Sequence, residues 1–197
     1  PKQAFLDAEN AKNDGYYFIH PFDGPLTLQG SATLGLEIVE YLKSINTKID
    51  NLLISVGGGG LISGVSSYVK QFYPKIKIIG VEPENANGLN QSLRANKPLN
   101  NVNVNSIADS LSAPLHMQYS FDVAKEVIDE MVTVSDDQMK KFMVFCYKKF
   151  KLFLEPACVA GLAALKYKIN NNLIGKNTLV ILCGSNIDKK TWLKLTN

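Results

Sequence analysis

Arginine is almost missing from this chain. Of the 21 basic residues only Arg94 is not a lysine, and the lysines are scattered, with small clusters such as Lys148, Lys149 and Lys151. Nucleic-acid recognition favours a concentrated basic stripe with guanidinium forks. The mild net charge of +3 therefore argues against a nucleic-acid partner. Cysteine is scarce too. Cys146, Cys158 and Cys183 lie far apart with no C-x-x-C spacing, which argues against a zinc site or a disulfide framework and makes a reducing, cytoplasmic setting the expectation. No apolar run approaches the roughly 20 residues of a membrane-spanning helix, so no membrane partner is expected. The opening PKQAFLDAEN does not have the build of a signal peptide. No internal repeat or low-complexity segment is present.

What remains is ordinary globular composition, 46% apolar and 20% charged, in a chain long enough to bury a core without disulfides or metal. The pattern alternates helix and strand. PKQAFLDAENAKN reads as the end of a helix stopped by Gly15, and Tyr16 to Ile19 as a short aromatic and β-branched strand. HPFDGP (His20 to Pro25) is a rigid loop. Apolar residues recur at helical spacing from Gln29 to about Lys43. Leu52 to Val56 and Ile76 to Val81 are continuous apolar runs, as in strands buried on both faces of a parallel sheet. Gly57 to Gly60 and a helix over Leu61 to Phe72 lie between them. Short helices are expected at Gly88 to Ala95 and Phe121 to Ile128, a loop at Lys97 to Asn105, and a strand at Met131 to Val134. Ser135 followed by Gln138 is a capping-box signature opening a helix to about Phe153. A helix over Cys158 to Lys168 and a strand over Thr178 to Leu182 complete an α/β layer structure with a mostly parallel sheet. Ligands of such sheets sit beyond the carboxyl ends of the strands, where the glycines, Glu82 and Cys183 fall.

The segment SVGGGGLISG (Ser55 to Gly64) is the strongest local signal. A strand runs through four glycines into a helix, so backbone N–H groups and the positive end of the helix dipole can face an anion. Its bland reading is a tight turn, which needs one or two glycines rather than four. A Walker A loop laid from Gly59 fails at Val65, where lysine is required, and a dinucleotide fingerprint fails at Ile62 or Ser63. Glu82, about 20 residues on, stands where an acid would read a ribose and keeps a nucleotide reading open.

A third reading comes from resemblance. HPFDGP, GSATLGLEI (Gly30 to Ile38), SVGGGGLISG, IIGVEPENAN (Ile78 to Asn87), IADSLSAP (Ile107 to Pro114), VTVSDDQM (Val132 to Met139), LEPACVAGLAAL (Leu154 to Leu165) and VILCGSNID (Val180 to Asp188) run in order along nearly the whole chain. Together they resemble the C-terminal part of the serine/threonine dehydratase family, which includes serine racemase, among the fold-type II pyridoxal-phosphate enzymes. The resemblance implies a three-layer α/β fold with a mostly parallel twisted sheet. Residues 1–22 would be the end of a smaller domain, and 23–197 an incomplete larger coenzyme-binding domain. It implies that Gly57, Gly58, Gly59 and Gly60 wrap the coenzyme phosphate, that Cys183 faces the pyridine nitrogen, and that Glu155 approaches the same ring edge. A neutral thiol there, unlike a carboxylate, does not hold the nitrogen protonated, and the weaker electron sink suits β-elimination. The family's divalent cation, Mg²⁺ or Ca²⁺, would be met by Glu82 and the carbonyl of Ala86. Gly88 replaces the usual Asp ligand, so water would have to substitute.

The implied activity is dehydration of L-threonine or L-serine to a 2-oxo acid and ammonia, in a homo-oligomer. Serine racemisation and β-replacement are alternatives on the same fold. The family's Schiff-base lysine lies in an S-x-K-x-R-G-like motif, and no lysine here has that context. An S-S-G-N-H-like carboxylate-binding loop is also missing. The absent part amounts to about 40 per cent of a standard member, one further domain's worth. The chain is therefore expected to be a fragment of a longer protein, one half of a split enzyme or a decayed gene product, inactive alone, with a non-catalytic phosphate binder as a rival function. The start at Pro1 fits either removal of an initiator methionine or a beginning within a longer gene. Weaker candidates are His20 as a loop hydrogen-bonder, Asp23 as a turn residue, Asp109 as a cap and His116, which has no partner in the sequence. The Lys148 to Lys151 cluster reads as a solvated helix face.

Overall fold

The computed structural model describes residues 2–169 and 176–196. Among these residues four strands form one sheet in the order β3-β2-β1-β4, where β1 is Asn51–Ser55, β2 Lys77–Pro83, β3 Glu130–Val134 and β4 Thr178–Val180. Every pairing is parallel, with Leu53 beside Ile79 in β2 and beside Val180 in β4. Parallel strands need crossover connections: α3 (Gly60–Phe72) runs between β1 and β2, α4 (Gly88–Ala95) and α5 (Gln118–Val127) between β2 and β3, and α6 (Asp136–Phe150) and α7 (Pro156–Tyr167) between β3 and β4, while α1 (Lys2–Asn13) and α2 (Pro25–Ser44) precede the sheet and α8 (Lys189–Thr196) follows it.

Side chains alternate across a strand, and β1 shows this directly. Leu52 and Ile54 join a core with Val39 of α2, Ile62, Val65 and Val69 of α3 and Phe121 of α5. Leu53 points the other way, into a cluster with Ile79 and Ile169. On that side α7 lies across the sheet through Ala157, Ala160, Ala163 and Ala164. Met139, Met143 and Cys146 of α6 and Trp192 of α8 pack behind it. The result is the expected three layers. Each fully buried Leu or Ile contributes about 1.5–3 kcal/mol, so the sheet is held from both faces.

Several elements begin or end where backbone chemistry dictates. The capping box of α6 is complete: the Ser135 hydroxyl accepts from the Gln138 N–H at 3.2 Å, and Gln138 Oε1 accepts from the Ser135 N–H at 3.1 Å. That helix stops at Phe150, short of Phe153, because Lys151 turns left-handed at φ 60°. α2 starts at Pro25 rather than Gln29, with proline supplying the preset φ of a first helical turn. The strand expected over Tyr16 to Ile19 is not formed. Among the described residues no strand pairs with it, and Tyr16, Tyr17 and Ile19 stay exposed. β propensity without a partner does not make a strand. The helix over Lys189–Thr196 is an element beyond those expected from the pattern, and it has a local signal: the Asp188 carboxylate accepts from the N–H and hydroxyl of Thr191, an N-terminal cap.

Glu82, at the end of β2, is fully buried. Its two oxygens accept the N–H groups of Leu89 at 2.8 Å and Asn90 at 3.0 Å, which are first-turn donors of α4 with no intrahelical partner. Burial pushes its carboxyl up to about 8, against the opposite pull of those two N–H bonds. Replacing Glu82 by Ala orphans a buried donor and is expected to cost about 1–3 kcal/mol. The check is a lower midpoint in equilibrium urea unfolding with an unchanged slope.

Candidate active site

Because all four strands run parallel, their carboxyl ends lie along one edge. β1 and β4 are adjacent, with Leu53 in register with Val180, so the chain leaves both strands side by side. From β1 it continues through Ser55 and Val56 into the glycine loop, and from β4 through Ile181 to Cys183 and Gly184. A cleft of about 380 Å³ opens between them, lined by Phe22, Gly57 to Gly60, Ser110, Glu155 and Cys183. The six residues expected at a coenzyme site, Gly57, Gly58, Gly59, Gly60, Glu155 and Cys183, therefore share one cavity.

Each glycine is required for its own reason. Gly59 sits at φ 94°, in the left-handed region, as the residue preceding α3. A Cβ on Gly57 would lie 2.9 Å from the Ser110 carbonyl oxygen. A Cβ on Gly58 would strike the Phe22 ring, and one on Gly60 would come within 2.7 Å of the Phe22 carbonyl oxygen. At these three positions the atoms that exclude a side chain belong to the protein itself. What the loop offers an anion is the start of α3, which no side chain caps. Helix N-terminal amides lack intrahelical partners and carry the positive end of the dipole. This arrangement suits a phosphate.

The opposite wall is built at the start of α7. Glu155 is its N-cap residue, followed by Pro156. The Ser110 hydroxyl donates to Glu155 Oε1 at 2.8 Å, which fixes the carboxylate. A Cβ on Gly184, itself at φ 125°, would lie 2.5 Å from that oxygen. Cys183 is exposed to the cleft, whereas Cys146 and Cys158 are buried. Burial pushes the Cys158 thiol up to about 12, with Cys183, Glu155 and Cys146 adding to the shift, and burial also raises Cys146. Cys146 inside α6 and Cys158 inside α7 are thus buried as small apolar residues, the usual place of a free cysteine, and Cys183 is not. Among the described residues, none that lines the cleft is a lysine.

Phe22, Ser110 and Ser55 line the same cleft and are not singled out by the sequence. The Ser55 hydroxyl is buried without a hydrogen-bond partner, an orphan polar group of the kind a ligand satisfies. Phe22 lies inside the HPFDGP motif, but its role as the wall against Gly58 depends on a long-range contact. His20 is a loop hydrogen-bonder as expected: its Nδ1 accepts from the Phe22 N–H at 3.4 Å and its carbonyl accepts from the Thr27 hydroxyl. Asp23 does more than turn the chain, since its Oδ1 accepts the Ser120 N–H at 2.7 Å and ties the loop to α5. Asp109 accepts from the neighbouring Ser110 N–H. Lys148, Lys149 and Lys151 are exposed.

The readings of Glu82 as a ribose acid or a cation ligand meet a different geometry. Its carboxylate holds α4 and does not line the cleft. Ala86 is buried, and the space beside Gly88 is filled by the His116 ring, 2.5 Å from where a Cβ would stand. Among the described residues no group of three or more His, Cys, Asp or Glu is assembled to hold a metal ion. The Mg²⁺ or Ca²⁺ set does not fit these residues. Nor is any helix among the described residues long and apolar enough to cross a membrane.

This geometry sets two expected outcomes. Gly58→Ala is expected to destabilise by on the order of 1–3 kcal/mol through overpacking, with most of the cost removed in a Phe22→Ala background; urea unfolding of the four-member cycle measures it. An alkylating reagent at pH 8 is expected to modify Cys183 well before Cys146 or Cys158, because the two buried thiols have raised pKa values. Peptide mapping against time reads the order.

Comparison with known proteins identifies the family of the chain. Residues 2–184 match the model of the family described as "Pyridoxal-phosphate dependent enzyme". The chain is 40% identical over 181 residues to phenylserine dehydratase of Ralstonia pickettii, covering 92% of this chain and 54% of that protein. It is 33% identical to L-threonine ammonia-lyase of Geobacter sulfurreducens, covering 96% of this chain and 46% of that protein. The processed form of threonine deaminase isoform 2 from Solanum lycopersicum superimposes with a TM-score of 0.87 at 35% identity, over 95% of this chain and 54% of that one. The chain thus spans about half the length of the relatives it matches. With a family model matched over residues 2–184, this chain belongs to the pyridoxal-phosphate dependent enzymes.

Proposed function

We propose that the chain forms the coenzyme-binding part of an ammonia-lyase that removes water from a β-hydroxy amino acid, L-threonine or L-serine, to give a 2-oxo acid and ammonia. One observation carries the reading: an uncapped helix N-terminus behind the glycine loop and the exposed thiol of Cys183 face each other across one cleft. The named activities of the relatives support it.

In this reading the amides of Gly57 to Gly60 and the start of α3 hold the phosphate of pyridoxal phosphate. Cys183 faces the ring nitrogen with a neutral hydrogen-bonding group. Glu155 stands at the ring edge, kept in place by the Ser110 hydroxyl. Phe22 closes the wall behind Gly58 and excludes water there. When bound, the coenzyme supplies the electron sink that acidifies an amino acid's Cα–H and lets a β-hydroxyl leave. With no lysine in the cleft, the group that removes that proton is assigned to a part of the protein outside this chain. The chain alone is therefore inactive, residues 1–22 belong to the end of a smaller domain, and residues 23–197 to the larger one. Tyr16, Tyr17, Ile19 and Leu26, all exposed, fit a surface covered by that further part or by a second subunit in a homo-oligomer.

The lysine-free cleft also favours a second reading, a non-catalytic binder of pyridoxal phosphate. Joining the chain to its upstream coding segment and assaying 2-oxo acid release from L-threonine separates the two. Under the first reading the joined protein turns over, and Cys183→Ser keeps its activity within about tenfold, roughly 1.4 kcal/mol of barrier. Saturating pyridoxal phosphate slows alkylation of Cys183 in either case. Unprotected Cys183 would remove the placement of the ring.

A further inference from the structure

His116 lies behind the glycine loop, outside the cleft, and is almost fully buried at 4% exposure. Its Nε2 is 3.1 Å from the Gly57 carbonyl oxygen. A carbonyl only accepts, so Nε2 carries the proton and the imidazole is the donor. Nδ1 is left as a buried acceptor with no partner. The seat of the ring is shaped by a missing side chain: a Cβ on Gly88 would lie 2.5 Å from Cε1 and 3.3 Å from Nδ1. The backbone at His116 is fixed as well, its N–H donating to the Leu99 carbonyl at 2.7 Å.

The consequence lies in one peptide unit. The carbonyl of Gly57 and the N–H of Gly58 belong to the same planar trans peptide and point in opposite directions. A peptide between two glycines turns over with little steric hindrance, so either its oxygen or its N–H could face the cleft. Drawing the oxygen back to His116 turns the N–H forward. Were the peptide reversed, a carbonyl oxygen would meet an anion with its negative end. We propose that His116 is a positioning residue that sets the Gly57–Gly58 peptide so that its N–H faces the coenzyme phosphate. This rests on the reading of the cleft as a pyridoxal-phosphate site. His116 acts through Gly57 and touches no substrate.

The test compares the chain with His116→Leu, which removes the donor, and His116→Gln, whose amide Nε2 can replace it. Dissociation constants for pyridoxal phosphate and for pyridoxal are measured by equilibrium titration. Hydrogen exchange of the 57–61 amides is measured without ligand. His116→Leu is expected to weaken pyridoxal phosphate at least tenfold while leaving pyridoxal within about threefold, and to speed exchange in 57–61 but not in α6. His116→Gln is expected to stay within about threefold of the parent. Should His116→Leu not fold, Gly88→Ala, which drives the ring off its seat, is read in the same way. Equal losses for both ligands, unchanged local exchange, or a Gln variant as impaired as the Leu variant would overturn the proposal. A parent chain that binds no pyridoxal phosphate would instead bring down the functional reading beneath it.

Discussion

The parallel pairing of β1 with both β2 and β4 is the constraint on which the site depends. Leu53, buried in the middle of β1, is in register with Ile79 on one side and Val180 on the other. That register sends the chain after each strand out of the same edge. The glycine loop and the Cys183 turn, far apart in sequence, become opposite walls of one cleft. A slip of one residue would exchange the two faces of the strand, sending Leu53 toward α3 and Leu52 toward α7. Burial on both faces forbids that, so the core fixes the site as well as the fold.

Support for the loop extends well behind the cleft. Glu82 ends β2 and caps α4 through Leu89 and Asn90. Leu89 packs under Gly59 and Gly88 borders the His116 ring, whose proton reaches Gly57. Burial lowers the His116 pKa, with the Gly57 bond opposing that shift, and so favours the neutral, donating ring. A continuous set of contacts therefore runs from the end of one strand, through a helix start and a histidine, to the loop after the neighbouring strand. A family comparison would have given Glu82 to a cation. In this chain its carboxylate serves the helix that backs the loop.

The glycine loop shows how a binding motif can also be a packing motif. Phe22, Ser110 and Leu111 press against it from elements distant in sequence, and any Cβ at Gly57, Gly58 or Gly60 would collide with them. Anion binding needs exposed amides at a helix start. Close packing is what leaves that start uncapped and pointed into a cavity. The two requirements select the same residue type, so composition alone cannot separate them.

The sequence by itself determined the alternation of strands and helices, the capping box at Ser135, the glycine loop and the segments that carry the family resemblance. All of these are local: continuous apolar runs, a three-residue spacing, a backbone stretch without side chains. It set out Gly57 to Gly60 as an anion site for the same reason, while Glu155 and Cys183 became candidates through the family resemblance. The tertiary structure alone decided that Tyr16 to Ile19 has no strand partner, that Glu82 caps α4, that Ser110 holds Glu155, and that His116 donates to Gly57. Each of these depends on where a distant group lies, and that position comes from strand register and two-sided burial rather than from neighbouring residues.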